Sequence, residues 1–173
     1  MIYRTLGRTD LTVSMLGMGT GGPNVLGQRL GHPESVMRAL LRRAYDLGIN
    51  LFDTAPDYVD SEVILGNALK GLPRDRFVVT TKFAAVRATD SGVEIKSAAE
   101  VVETVESSLS RMQLSEIDVV MFAGLLTPDN AAPVLEEQAP ALDSNSSSTS
   151  TGQKPWTKCR KMSARRAPAF QPD

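Results

Sequence analysis

The sequence predicts an α/β protein built on a parallel sheet, and three features of the chain support this fold class. Short apolar runs that suit buried strands alternate with segments of helical period between residues 16 and 124. Each strand–helix unit takes roughly 35 residues, and three such units are followed by a fourth strand. The strands are continuously apolar, which indicates a parallel sheet covered by helices. This repeat is typical of a doubly wound sheet or a (β/α)8 barrel.

The strands are predicted where apolar runs are bounded by turn residues. Two β-prone runs, IYRTLG and LTVSML, predict a hairpin at the start of the chain, with Gly7 and Asp10 supplying turn chemistry. The small residues of the next run, LGMGTGG, allow another group to approach the backbone closely. The four strands of the sheet are predicted at residues 16–22, 49–52, 77–83 and 117–124.

Three helices are predicted from apolar residues that recur at helical spacing. The first begins at Glu34 and ends before Gly48, which acts as a C-cap. The second begins at Ser61, and Ser97 caps the third. The predicted inward faces are Val36, Ala39, Leu40, Ala44 and Leu47; Val63, Ile64, Leu65, Ala68 and Leu69; and Val101, Val102, Val105, Leu109 and Met112. The polar segment 85–96 is predicted to be a loop.

The periodic pattern fails after residue 130. The segment AAPVLEEQAPAL predicts at most a weak helical turn, and the Ser/Thr-rich tract that follows buries too little to fold. The last stretch is basic, interrupted by proline and without period. We therefore predict one folded unit at residues 1–130 and a disordered tail at residues 131–173.

Composition excludes several classes of protein. The 173 residues carry a net charge of −1, which gives no reason to expect nucleic acid or a membrane as partner. A single cysteine cannot form an internal disulfide, and the polar N-terminus has no signal core, so we expect a cytoplasmic protein. The basic tail leaves binding to nucleic acid or to a membrane surface as the weakest functional hypothesis, because such runs are usually solvated.

Three polar residues lie at or just after the predicted ends of neighbouring strands. Asp53 ends the second strand, Tyr58 lies in the loop after it, and Lys82 ends the third. In parallel α/β proteins, active sites form at this edge of the sheet. An ammonium group favours the ionised form of a nearby phenol, and a carboxylate holds the ammonium in place. This combination suits a general acid that protonates a carbonyl oxygen as hydride arrives.

Each of these residues also has a structural explanation when it is taken alone. An aspartate at a strand end is often a turn or cap residue, and a lysine there is often solvated. Asp57 and Asp60 are interpreted as turn or N-cap residues for this reason.

The motifs around these residues resemble the aldo-keto reductases. The stretches GINLFDTAPDYVDSEVILGNALKG and RDRFVVTTKF match the family's strand end, Tyr loop, Ser-Glu helix start and Thr-Lys strand end. YRTLGRTDLTVSMLGMGTGG resembles its hairpin and first strand, and VESSLSRMQLSEIDVVMF is similar to its third helix and fourth strand. The resemblance covers residues 2–122. It implies a (β/α)8 barrel, with the N-terminal hairpin, four parallel strands and three helices of a partial barrel here.

The family's chemistry is the NADP(H)-dependent interconversion of carbonyls and alcohols. The resemblance assigns the general acid to Tyr58, the tuning lysine to Lys82 and the catalytic aspartate to Asp53. It assigns cofactor contacts to Thr20, Gly21 and Asp53, and it implies a small aldehyde, ketone or sugar as substrate.

This sequence departs from the family's pattern at the fourth strand. A histidine usually ends that strand five residues after an Ile-Asp pair, and the corresponding residue here is Ala123. The sole histidine, His32, is predicted to be a solvated loop residue. The family's second half, which carries most cofactor contacts, has no counterpart in the tail, and a barrel takes about 200 residues or more. We therefore expect impaired activity or, alternatively, a catalytically inactive remnant, which could associate through exposed sheet edges.

Overall fold

A computed structural model describes residues 1–90, 92–124 and 128–142 of the chain. The strands are β1 (Tyr3–Thr5), β2 (Thr12–Ser14), β3 (Gly17–Gly19), β4 (Leu51–Asp53), β5 (Val78–Phe83), β6 (Val86–Thr89), β7 (Gly92–Ile95) and β8 (Val119–Phe122). The helices are α1 (Glu34–Asp46), α2 (Ser61–Leu69), α3 (Ala98–Met112) and α4 (Pro128–Leu142), with short 3₁₀ segments at Val25–Leu30 and Arg74–Arg76. In these described ranges no helix is long and apolar enough to cross a bilayer.

The central sheet confirms the predicted fold class. Its strands run in the order β3–β4–β5–β8, and every neighbouring pair is parallel. Phe52 lies beside Met18 on one side and Val79 on the other, and this face packs against the helices. Because side chains alternate along a strand, Asp53 and Lys82 lie on the opposite face. The alternation thus separates the hydrophobic core from the polar candidate site.

The core lies between one face of the sheet and a row of helices in the order α1, α2, α3 and α4. Burial of this apolar surface is the main term that stabilises the fold. The largest fully buried apolar side chains are Phe52, Leu41, Leu65, Met112, Ile117, Val79, Val101, Val105 and Val134. The predicted inward faces of the second and third helices supply many of these residues.

Of the residues predicted for the inward face of α1, only Ala44 is buried. Val36, Leu40 and Leu47 are 53%, 50% and 57% exposed, whereas the buried side of the helix carries Met37, Leu41 and Ala44. Both sets of residues follow helical spacing, so the sequence offers two apolar stripes about one position apart. Contact with α2 and the sheet selects the second stripe and leaves the first exposed.

The residues that the structure describes contain two hairpins, of which the sequence predicted one. The predicted one is confirmed, since β1 and β2 pair antiparallel. It attaches to the start of β4, where the Ser14 backbone N–H donates to Asn50 Oδ1 at 2.7 Å. The segment predicted as a loop at 85–96 instead contains the antiparallel pair β6 and β7, braced by Arg87 and Glu94 at 2.7 Å. Polar composition hid these strands, because both have exposed faces that do not require apolar residues.

Helix α3 begins with a capping box that the sequence signals. The Ser97 hydroxyl accepts from the backbone of Glu100, and the Glu100 carboxylate accepts from the backbone of Ser97 at 2.8 Å. Hydrogen bonds from Ser97, backbone and side chain, and from Arg87 lower the pKa of Glu100 to about 2. The carboxylate therefore stays charged at the positive end of the helix dipole.

Residues 131–142 were predicted to be disordered, but they form most of helix α4. Val134 is buried against α3, and buried Gln138 donates to the Lys96 carbonyl at 2.6 Å. Tertiary contact with α3 thus stabilises a segment whose own helical signal is weak. The remaining predicted tail, residues 143–173, lies outside the described residues.

Candidate active site

The candidate site lies at the carboxyl ends of the four parallel strands. Thr20 follows β3, Asp53 ends β4, Lys82 lies one residue from the end of β5, and Ala123 follows β8. The parallel register brings these positions to one edge of the sheet, since Gly19 lies beside Asp53 and Lys82 beside Met121. This edge is where parallel α/β enzymes build their sites.

An ion pair between Lys82 and Asp53 forms the centre of this rim. The Lys82 ammonium donates to both oxygens of Asp53, at 2.9 and 2.7 Å, and to the Thr54 carbonyl at 3.0 Å. The Thr80 hydroxyl donates to Asp53 Oδ1 at 2.7 Å. The Lys82 side chain is 20% exposed and that of Asp53 is 36% exposed. Both charges are thus held in fixed positions while the rim stays accessible to a ligand.

Tyr58 joins this pair through its aromatic ring. The Lys82 ammonium lies 4.9 Å from the ring centroid, which is within cation–π range. On another side the ring packs against Gly21, where an added Cβ would lie only 2.6 Å from two ring atoms. The structure therefore brings together the three residues predicted for catalysis and places Gly21 in contact with the phenol.

Thr20 lies at the strand end where it was predicted, but its side chain contacts neighbouring elements of the fold. Its side chain is fully buried, and its hydroxyl lies 3.1 Å from the Asp53 carbonyl and 3.0 Å from the Thr54 hydroxyl. Its carbonyl accepts from the Ser61 hydroxyl at 3.0 Å. These contacts join β3 to β4 and α2, and they leave the side chain no surface for a cofactor. The expected cofactor contact of Thr20 therefore does not fit this geometry, whereas Gly21 and Asp53 keep partial exposure.

Two further positions concern the missing imidazole. Ala123 directly follows β8, and its backbone N–H donates to the Phe83 carbonyl at 2.7 Å, so this position continues the sheet and presents only a methyl group. His32 is exposed in the loop before α1, as predicted, and lies beside Gly27.

Asp57 is also exposed, and Asp60 occupies the N-cap position of α2 without a side-chain capping bond.

Two residues that organise this rim, Thr80 and Gln28, were not among the predicted site residues. Thr80 could have been found, because it precedes Lys82 by two residues and strand alternation places both on one face. Gln28 could not, because its contacts with the Tyr58 loop join segments about 30 residues apart and follow no local pattern.

A four-stranded parallel sheet backed by helices, with an ion pair and a phenol at its carboxyl edge, defines an α/β fold that matches part of a (β/α)8 barrel. The aldo/keto reductase family model matches residues 15–148. An aldo-keto reductase structure from Pseudomonas aeruginosa is 35% identical, with a TM-score of 0.63, over 81% of this chain and 53% of that one. Another from Bacillus halodurans, in its holo form, is 32% identical with a TM-score of 0.63, over 80% and 44%.

The chain belongs to the aldo/keto reductase family. It spans about half the length of these solved relatives. The fold therefore corresponds to part of the barrel that the family forms, as the resemblance implied.

Proposed function

We propose that this chain carries the proton-donating part of a reductase that interconverts carbonyls and alcohols, with a small aldehyde, ketone or sugar as substrate. The observation that supports the proposal is the contact of one ammonium with both a carboxylate and a phenol ring at the carboxyl edge of the sheet. Such an edge combines a proton donor and a fixed cation on side chains that remain partly exposed.

Each of the three side chains has a distinct role in this proposal. Tyr58 donates its phenolic proton to the carbonyl oxygen of the substrate. Lys82 stabilises the phenolate that results, since a nearby cation favours the charged form of a phenol. Asp53 holds the Lys82 ammonium in place through its two short hydrogen bonds. The proton is thus supplied from a preorganised group, which neutralises the negative charge that develops on the carbonyl oxygen as it becomes the alcohol.

The rim fits the nicotinamide end of NADP(H). Gly19 lies beside Asp53 in the sheet, and a Cβ added at Gly19 or Gly22 would meet nothing within 4 Å. A flat ring can approach the backbone closely at such positions. Gly21 and Asp53 would hold that ring near Tyr58, and the bound cofactor would supply the hydride. The family's chemistry and the holo form of the Bacillus halodurans relative support this assignment.

Ala123 supports the alternative that the chain is a catalytically inactive aldo-keto reductase. A methyl group cannot donate the hydrogen bond that the family's histidine makes to the substrate carbonyl. Loss of one such donor commonly lowers turnover by about 10²–10³-fold. Slow turnover is therefore the expected result if the proposal holds, and absence of turnover is expected if the alternative holds.

Replacing Tyr58 with phenylalanine tests the proposed function. We expect Tyr58→Phe to lower the rate of NADPH-dependent aldehyde reduction by about 100-fold or more, because the proton donor is lost. NADPH binding, measured by quenching of protein fluorescence, should be retained. Tyr45→Phe, a change in α1 away from the rim, is the control and should leave the rate unchanged. Equal and measurable rates for the Tyr58→Phe and wild-type proteins would contradict the proposal. A wild-type protein that reduces no aldehyde, with or without NADPH, would favour the alternative.

We also propose that two copies of this chain associate through the edges of their sheets. In the described part of the chain, β3 and β8 pair with a strand on one side only, and edge strands of this kind template further pairing. Helix α1, the outer helix of the row, adds the exposed Val36, Leu40 and Leu47. In the proposed dimer the β8 edge of each copy continues into the β3 edge of the other as a parallel sheet, which closes the assembly at two copies and covers the apolar stripe.

Light scattering at micromolar concentration tests this association. We expect a dimer for the wild-type chain and a shift toward monomer for Leu40→Glu, because a charge in the stripe opposes its burial. Val93→Glu is the matched control, since Val93 is equally exposed but lies in β7, outside the central sheet. A wild-type monomer, or equal effects of both substitutions, would exclude the proposed interface.

A further inference from the structure

Gln28 connects the loop before α1 to the loop that carries Tyr58. Its amide nitrogen lies 2.9 Å from the Ser61 hydroxyl and 3.3 Å from the Tyr58 carbonyl. Its amide oxygen accepts from the backbone N–H of Asp60 at 2.9 Å. One partly buried side chain therefore contacts three of the four residues from 58 to 61. The same amide nitrogen also donates to the Val25 carbonyl at 3.0 Å, which fixes the side chain to its own segment.

Both segments joined by Gln28 have strained backbones. Val59 has φ of 52°, and Val25 and Leu26 have φ of 45° and 57°. Branched residues rarely adopt this left-handed region, because the side chain clashes with the backbone. Such conformations persist only where surrounding contacts hold them, and they concentrate at functional sites. Gln28 supplies contacts of this kind to both segments at once.

The ring of Tyr58 has little freedom once its loop is held. Gly21 lies against the ring edge that includes the hydroxyl-bearing carbon, and the Lys82 ammonium lies on the ring face. A shift of the backbone at residues 58–61 would move the hydroxyl relative to the ammonium. We propose that Gln28 is a positioning residue for the Tyr58 phenol. The catalytic consequence rests on the proposed function, whereas the positioning itself does not.

Two substitutions separate the contributions of the Gln28 side chain. Gln28→Met keeps the length of the side chain and removes all of its hydrogen bonds with the Tyr58 loop. Gln28→Glu keeps the acceptor for the Asp60 N–H but loses the donors to Ser61 and Tyr58. Arg29→Met is the control, because Arg29 lies in the same segment and its guanidinium donates to Pro23 rather than to the Tyr58 loop.

Fluorine NMR of protein labelled with 3-fluorotyrosine reads the phenol directly and needs no turnover. The chain has three tyrosines, and loss of one resonance in Tyr58→Phe assigns the signal of interest. We expect this resonance to shift and broaden in Gln28→Met, to change less in Gln28→Glu, and to stay unchanged in Arg29→Met. An unchanged Tyr58 resonance in Gln28→Met would overturn the proposal.

Steady-state kinetics adds a second readout for a chain that turns over. We expect Gln28→Met to lower kcat by about 10- to 100-fold with KM within about twofold, because misplacement of a catalytic group affects chemistry more than binding. Gln28→Glu should recover part of kcat. Thermal unfolding of Gln28→Met measures the fraction of this variant that is unfolded under the assay conditions. A loss of kcat equal to that fraction would show a merely structural role and overturn the positioning proposal. An altered resonance in a protein without turnover would refute the proposed function and keep the positioning role.

Discussion

Replacing Gly66 with alanine is expected to separate α2 from α3 and to destabilise the protein by at least about 3 kcal/mol, the upper end of the usual cost of overpacking. An added Cβ at this position would lie 2.2 Å from the carbonyl oxygen of Met112 and 2.7 Å from its Cα. These are backbone atoms at the end of α3, so no side-chain rotation can relieve the clash.

The loss of stability should extend beyond the contact between Gly66 and Met112, because this contact lies within the main core. Leu65 and Leu69 on α2 and Val105 and Leu109 on α3 belong to the same buried cluster. Moving the helices apart exposes these side chains or leaves cavities between them, and both outcomes cost free energy.

Urea unfolding monitored by circular dichroism measures the effect of Gly66→Ala. Gly19→Ala is the matched control, because an added Cβ at Gly19 would contact nothing within 4 Å. We expect the control to unfold near the wild-type midpoint. A Gly66→Ala protein as stable as the control would show that α2 and α3 do not approach each other this closely.

The second large effect is expected at Arg111, the partner of a buried glutamate. Arg111 Nε donates to Glu62 Oε2 at 2.7 Å, and the Thr81 hydroxyl donates to Glu62 Oε1 at 2.7 Å. The Glu62 side chain is only 2% exposed, whereas that of Arg111 is 37% exposed. The carboxylate therefore links α2, α3 and β5 in a place from which water is nearly excluded.

Among the described residues, Arg111→Met leaves this buried carboxylate with the Thr81 hydroxyl as its remaining partner. Removing one member of a buried ion pair costs about 3–5 kcal/mol, and we expect about 2–3 kcal/mol here because water can reach the arginine side. Glu62→Gln should cost less, since a neutral amide can keep hydrogen bonds without an unpaired charge. Arg111→Met is expected to cost more than Glu62→Gln because Glu62 is the buried partner and Arg111 is partly exposed.

Denaturant unfolding of both single variants and of Glu62→Met/Arg111→Met checks this expectation. The double variant should recover part of the loss, because it removes the buried charge together with its partner. An Arg111→Met protein within about 0.5 kcal/mol of the wild type would contradict the proposed cost, since that is the size of ordinary surface effects.

Much of the fold was predictable because it depends on neighbouring residues. The apolar run at 77–83 and the cap at Ser97 each specify an element locally, and β5 and α3 begin within one residue of the predicted positions. The buried face of α1 was not predictable, since Leu40 and Leu41 satisfy helical spacing equally well. Helix α4 depends on a surface of α3 that no local pattern encodes.

The candidate site likewise contains residues that the sequence indicated and residues whose contacts only the fold establishes. Strand ends and the motifs around them indicated Asp53, Tyr58 and Lys82, because parallel strands bring their carboxyl ends together. The positions of Thr20 and Gln28 followed from hydrogen bonds that cross between segments, which sequence spacing does not specify.

The sequence by itself determined where the central strands lie along the chain, the three helices that cover them and the three polar residues of the rim. Periodicity and capping are properties of consecutive residues, so they can be read before the chain folds. Three features depended on the tertiary structure: which stripe of α1 is buried, the close contact that leaves no room for a side chain at Gly66, and the pairing of the buried Glu62 carboxylate with Arg111. Each of these depends on which surfaces meet, and that choice is made by packing between residues far apart in the chain.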